Sequence, residues 1–120
     1  MKASSQPSNE KAGPAAKPDI RARVAIDLGA ESCRVSLLRW HDGVPRIELV
    51  HRISNGPVHV DGSLRWPFDR ILSGLEDGLR KAAEAAPEGI ASIAVDGWAV
   101  DYVRLGFESD VPHVFRNFSA

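Results

Sequence analysis

From residue 24 onward, hydrophobic positions fall into short runs separated by turn residues, with one long helical stripe in the middle. Val24-Ala25-Ile26-Asp27-Leu28 is apolar apart from one carboxylate, which predicts a strand buried on both faces. Gly29-Ala30-Glu31-Ser32 reads as a turn, and Arg34 to Trp40 as a second strand. His41-Asp42-Gly43 carries the Asp-Gly hairpin signal. A third strand is predicted over Ile47 to Ile53, with Ile47, Leu49 and His51 on one face and Glu48, Val50 and Arg52 on the other. Together the three form an antiparallel meander. Turn signals at Asn55-Gly56-Pro57 and Asp61-Gly62 frame Val58-His59-Val60 and Leu64-Arg65-Trp66, which suit a small accessory hairpin.

The stripe predicts a helix from Pro67 to Ala86. Ile71, Leu75, Leu79, Ala82, Ala83 and Ala86 recur at three- and four-residue spacing. Pro67 suits the first helical position, where its missing N–H costs nothing. Glu76 with Arg80, and Asp77 with Lys81, are i,i+4 pairs in the favourable order. Gly74 and Gly78 each weaken a helix by about 1 kcal/mol relative to Ala, so a close approach to a sheet is the expected reason for them. Pro87 and Gly89 end the helix, and a buried strand follows from Ile90 to Val95. The order of elements predicts an α/β domain with a mixed sheet, its last strand parallel to the first through a right-handed crossover.

Composition narrows the function classes. A net charge of −1 gives no electrostatic case for nucleic acid or an anionic membrane. No apolar run approaches the length of a membrane helix. One cysteine, Cys33, excludes an internal disulfide and suits a reducing, cytoplasmic compartment. His41, His51, His59 and His113 are scattered, without metal-ligand spacing. Residues 1–22 are rich in Ser, Pro, Ala and Lys, with prolines at Pro7, Pro14 and Pro18, and read as a disordered tail.

Two strands end in an aspartate before a glycine: Asp27-Leu28-Gly29 and Asp96-Gly97. Parallel strands place such residues at one carboxyl edge, where open α/β sheets bind ligands. The small residues Gly29 and Ala30 let a backbone approach an anion, Ser32 adds a hydroxyl, and Arg34 adds fixed charge. Asp27 fits Mg²⁺ held through water. The competing reading is a tight turn beside an incidental acid. Trp98 reads as a core aromatic at a strand end or as a wall of the cleft; Trp40 and Trp66 read as packing residues, and Cys33 as an inert small side chain.

The stretch from Val24 to Val35 resembles the first phosphate loop of the FGGY carbohydrate kinases, members of the actin-like ATPase (ribonuclease H-like) superfamily. His51-Arg52-Ile53-Ser54-Asn55-Gly56, Leu64-Arg65-Trp66 and Ser92 to Tyr102 extend the likeness in order, and it is strongest to the rhamnulokinase branch. The resemblance implies ATP-dependent phosphorylation of L-rhamnulose to L-rhamnulose 1-phosphate, with xylulose, fuculose or glycerol as alternative substrates and a non-catalytic binding module as the alternative class. It implies that Ala30, Glu31, Ser32, Cys33 and Arg34 bind ATP, that Asp27 serves Mg²⁺, and that Trp98, Ala99 and Asp101 contact the sugar.

Family kinases pair two such domains, and the resemblance places the general base in the second, leaving no catalytic residue here. The expected organisation is a tail over 1–22, an incomplete kinase-like domain over 23–105 and a divergent tail over 106–120. Alone, such a chain is expected to be inactive and to associate through its uncovered domain interface. Cys33 and Ala99 stand where the family commonly has glycine; a left-handed backbone at Cys33 would be strained.

Overall fold

The computed structural model describes residues 13–14, 16–99, 101–104 and 113–115, the strand residues 103–104 and 113–115 by backbone alone. Residues 1–12 and 106–112, from the two predicted tails, lie outside the described residues.

A four-stranded sheet carries the fold: β1 (Ala22–Leu28), β2 (Ser32–His41), β3 (Val44–Ser54) and β6 (Ile90–Asp96), in spatial order β3-β2-β1-β6. β1–β2 and β2–β3 are antiparallel, so the meander forms as predicted. The hairpin between β2 and β3 turns on Asp42 and Gly43, both at positive φ (50° and 77°), the geometry that matches strand twist. β6 runs parallel to β1 after the crossover through α1 (Phe68–Ala85). A second sheet, in the order β4-β5-β8-β7, comprises the accessory hairpin of β4 (Val58–Val60) and β5 (Ser63–Arg65) with β7 (Tyr102–Arg104) and β8 (His113–Phe115). The described strands therefore continue past residue 105.

α1 packs on β2 and β3 and buries Val24, Ile26, Val35 and Leu37 with Ala82 and Ala86. The two glycines make this packing close. A methyl on Gly78 would come 2.6 Å from Val35 Cγ2, and one on Gly74 would come 2.6 Å from Ile53 Cδ1. Ile71 and Ala82 are buried and Leu75 and Leu79 half-buried, as the stripe predicts, but Ala83 points to solvent.

Pro67 and Ala86, the predicted ends, are caps rather than helical residues, so the helix stops one position inside each predicted end. Glu76 pairs with Arg80, but Asp77 takes Arg80 at 2.6 Å rather than Lys81. Lys81 Nζ instead donates to His51 Nδ1 at 3.0 Å, because the sheet lies within its reach. The last turn of α1 has no basic residue of its own. Arg39 of β2 supplies the charge, donating to the Ala85 carbonyl, to Glu88 Oε1 at 2.5 Å and to Glu48 Oε2 at 2.9 Å.

Three burial expectations need correction. Ala25 and Asp27 are exposed, so β1 is buried on one face only. β6 is an edge strand beyond the reach of α1, and Ile93 and Val95 are 53% and 61% exposed. In β3, the alternation breaks at Val50. Val35 pairs with His51 while Ser36 pairs with Leu49, so Val50 is an extra residue opposite β2. Val50 and His51 therefore both lie toward α1, while Ile47 and Leu49 remain on the open face, 76% and 54% exposed.

Candidate functional site

The site is built at the carboxyl edge shared by β1 and β6. Their parallel register pairs Asp27 with Asp96, so the two carboxylates stand side by side, and both residues are exposed. Antiparallel pairing places Arg34 opposite Asp27, with Nη1 3.3 Å from Oδ2. Both side chains are about half exposed, so this pair contributes at most roughly 1 kcal/mol to stability and leaves the carboxylate reachable.

Between β1 and β2 the chain reverses over residues 29–31. Gly29 donates to the Ser32 carbonyl at 3.1 Å. A side chain at Gly29 has no room, since its Cβ would sit 2.5 Å from that same carbonyl oxygen. Ala30 and Glu31 are exposed, and among the described residues their N–H groups donate to nothing. Their φ angles are not positive, and neither is that of Cys33, so the cysteine does not adopt the left-handed backbone that would strain it. Ser32 is 2% exposed, and its hydroxyl accepts from Arg34 Nε at 3.4 Å.

Alternation turns Cys33 the other way. Its thiol is fully buried with Trp66 and Ile71, and burial pushes its pKa up. Only its main chain belongs to the turn.

Beyond β6, Trp98 stacks on Trp66 with ring centroids 4.4 Å apart and planes 13° from parallel. Trp66 Nε1 donates to Asp101 Oδ2 at 2.6 Å. The indole N–H of Trp98 is buried without a partner among the described residues, and Ala99 is exposed beside it.

These features fit the groups that the sequence suggests. Unpaired amides beside an exposed guanidinium suit an anionic oxygen. Two adjacent carboxylates suit a hard cation that keeps most of its waters. No cluster of three metal-ligating side chains occurs among the described residues, as water-mediated magnesium allows.

No protein-family model matches the chain. It is 36% identical over 87 residues to the rhamnulokinase of Ligilactobacillus salivarius (strain UCC118), which covers 72% of this chain and 18% of that one. Identity to the rhamnulokinase of Klebsiella pneumoniae (strain 342) is 41% over 90 residues, with the same coverage. That of Bacteroides thetaiotaomicron is 34% identical over 96 residues, covering 78% of this chain and 20% of that one.

The chain is rhamnulokinase-like. It spans about a fifth of the length of these curated relatives.

In this rhamnulokinase-like chain, Asp27, Ala30, Glu31 and Arg34 meet at one edge, while Trp98, Ala99 and Asp101 follow the adjacent strand. The Cys33 side chain is not among them. Two participants escape a reading of the sequence. Trp66 reads as packing, yet it bonds a predicted sugar residue 35 positions away. Asn55 reads as a turn residue, yet it reaches back to the loop: its backbone N–H donates to the Glu31 carbonyl at 2.8 Å and its Nδ2 to the Gly29 carbonyl at 2.9 Å. Its position at the end of the third meander strand, level with the first turn, is the signal that could have found it.

Among the described residues no helix is long and apolar enough to cross a membrane.

Proposed function

We propose that this chain provides the phosphate-gripping wall and one sugar wall of an ATP-dependent L-rhamnulose kinase of the FGGY type, built on an actin-like ATPase domain and working in the cytoplasm. The observation that carries the reading is the in-register pairing of Asp27 with Asp96 beside a turn in which, among the described residues, the Ala30 and Glu31 N–H groups donate to nothing.

Mg·ATP, when bound, supplies the electrophilic γ-phosphoryl group. The N–H groups of Ala30 and Glu31 donate to phosphate oxygens, and Arg34 adds a fixed charge. The carboxylates of Asp27 and Asp96 would hold the cation, whose charge would offset that of the phosphates. Trp98 and Ala99 offer an apolar wall to sugar C–H groups. Asp101, which Trp66 holds through its indole N–H, offers a carboxylate to the sugar's hydroxyls. Such catalysis rests on positioning and electrostatics. The base that would take the sugar's 1-hydroxyl proton is not assigned to any residue of this chain, so the chain alone transfers no phosphoryl group.

Separate calorimetric titrations of the 120-residue chain with Mg·ATP and with L-rhamnulose test the two walls independently. Heat of binding with Mg·ATP that disappears when magnesium is chelated supports the phosphate wall; an absence of heat at millimolar nucleotide removes it. A panel of L-rhamnulose, xylulose, fuculose and glycerol discriminates the substrate. Turnover of ATP by the chain alone would refute its proposed inactivity.

A further inference from the structure

We infer that Asn55, at the end of β3, is the positioning residue that aims the amides of the 29–32 turn at the ligand. The inference rests on the phosphate-binding reading of that turn.

The argument is one of peptide geometry. In a trans peptide the C=O and the next residue's N–H point in opposite directions. Asn55 Nδ2 holds the Gly29 carbonyl at 2.9 Å, so the N–H of Ala30, in the same peptide unit, faces away from β3. The Asn55 backbone N–H holds the Glu31 carbonyl at 2.8 Å, which turns the N–H of Ser32 away in the same manner. Two carbonyls that would repel a phosphate are thereby tied back, and two amides that would attract it are presented.

The side-chain amide has only one workable orientation. Flipped, it would set Oδ1 against the Gly29 oxygen, two acceptors with no proton between them. In the orientation present, Oδ1 is buried and has no partner among the described residues. A side chain selected only for stability at this position would not bury a lone acceptor. The Nδ2 donor is the group the site needs.

The experiment uses the full 120-residue chain labelled with ¹⁵N. In the wild type, backbone order parameters at Ala30 and Ser32 should be near the rigid value of about 0.85 and fall below about 0.6 in Asn55→Ala and Asn55→Asp. Asn55→Asp is the sharper variant, because it keeps the outline and removes the donor. Asn55→Gln, which retains an amide, should recover part of the rigidity.

Affinity for Mg·ATP, followed by amide shifts, should fall about tenfold in Asn55→Ala and Asn55→Asp, the worth of one well-formed hydrogen bond, while the melting temperature stays within a few degrees of wild type. Unchanged order parameters in both variants overturn the inference. If neither variant folds, the wild type decides: Nδ2 protons of Asn55 that exchange as freely as those of a solvated amide rule out the clamp, and slowed exchange supports it. Should the wild type show no shifts at residues 29–32 with Mg·ATP, the phosphate reading fails, and the order parameters still determine whether Asn55 holds the turn.

Discussion

The two faces of the main sheet are made from the same strands and do different work. Along β1, Ala22, Val24 and Ile26 are buried under α1, while Ala25 and Asp27 lie on the opposite face in the open. Along β2, Val35 and Leu37 go under the helix, while Arg34 faces Asp27 and Trp40 receives the guanidinium of Arg23 at 4.9 Å from its ring centre. The covered face holds the fold together; the open face carries the ionic groups of the candidate site. The two-residue period of a strand lets one segment of chain serve both purposes, because a change on one face leaves the other's surroundings intact. The same division explains why hydrophobic residues on the open face, Ile47 and Leu49, are not core despite their chemistry.

This contrast can be broken most decisively at Leu37, which is wholly buried. Leu37→Ala should cost about 3 kcal/mol in urea unfolding, whereas Leu49→Ala on the open face should cost about 0.5 kcal/mol or less. Equal losses would mean that the open face is covered in solution.

Next in size is Gly78→Ala, whose methyl would meet the branched stem of Val35, with Cβ at 3.1 Å as well as Cγ2. A net loss of about 1–2 kcal/mol is expected after the gain in helix propensity. Gly74→Ala meets Ile53 along its side chain, Cδ1 at 2.6 Å, Cγ1 at 2.8 Å and Cγ2 at 3.2 Å, and should cost about 1 kcal/mol, so the pair of melts compares how hard the helix touches each strand.

On the open face, Asp27→Asn should leave stability within about 0.5 kcal/mol and weaken Mg·ATP binding about tenfold, read by calorimetry. A loss of fold in this variant would assign Asp27 to structure rather than ligand.

The smallest effect is a pH dependence. The hydrogen bond from Arg39 holds the Glu88 carboxyl below its ordinary value of 4.5. A depressed carboxylate stabilises the folded state fully above that ordinary value and loses its contribution as pH falls through the lowered one. Glu88→Gln should therefore reduce stability at neutral pH and flatten the acid limb of a stability–pH curve.

Patterns that repeat were legible in the sequence. The meander, the accessory hairpin, the helix and the parallel return of Ile90 to Asp96 all announce themselves through periodicity and turn chemistry. Parallel pairing then delivered the adjacency of Asp27 and Asp96. What stayed hidden depends on neighbours rather than on period. The bulge at Val50 inserts one residue without any compositional mark, and it moves His51 to the helix side. Exposure of Ile93 and Val95 follows from where α1 ends its reach, which no run of apolar letters encodes. The inward turn of Cys33 follows from its register opposite Leu28. Trp66 with Asp101, and Asn55 with Gly29, are contacts between distant segments, and local sequence contains neither.

Arg39 ties the register of β2 to the docking of α1. Its guanidinium meets the end of α1 only because β2 presents it on the helix side, two residues after Leu37. A one-residue slip of β2 would send it to the opposite surface, stranding Glu88 and an unmatched carbonyl at the helix terminus. Docking of the crossover helix and the register of β2 are thus mutually dependent: the helix terminus finds its guanidinium only when the strand is correctly aligned.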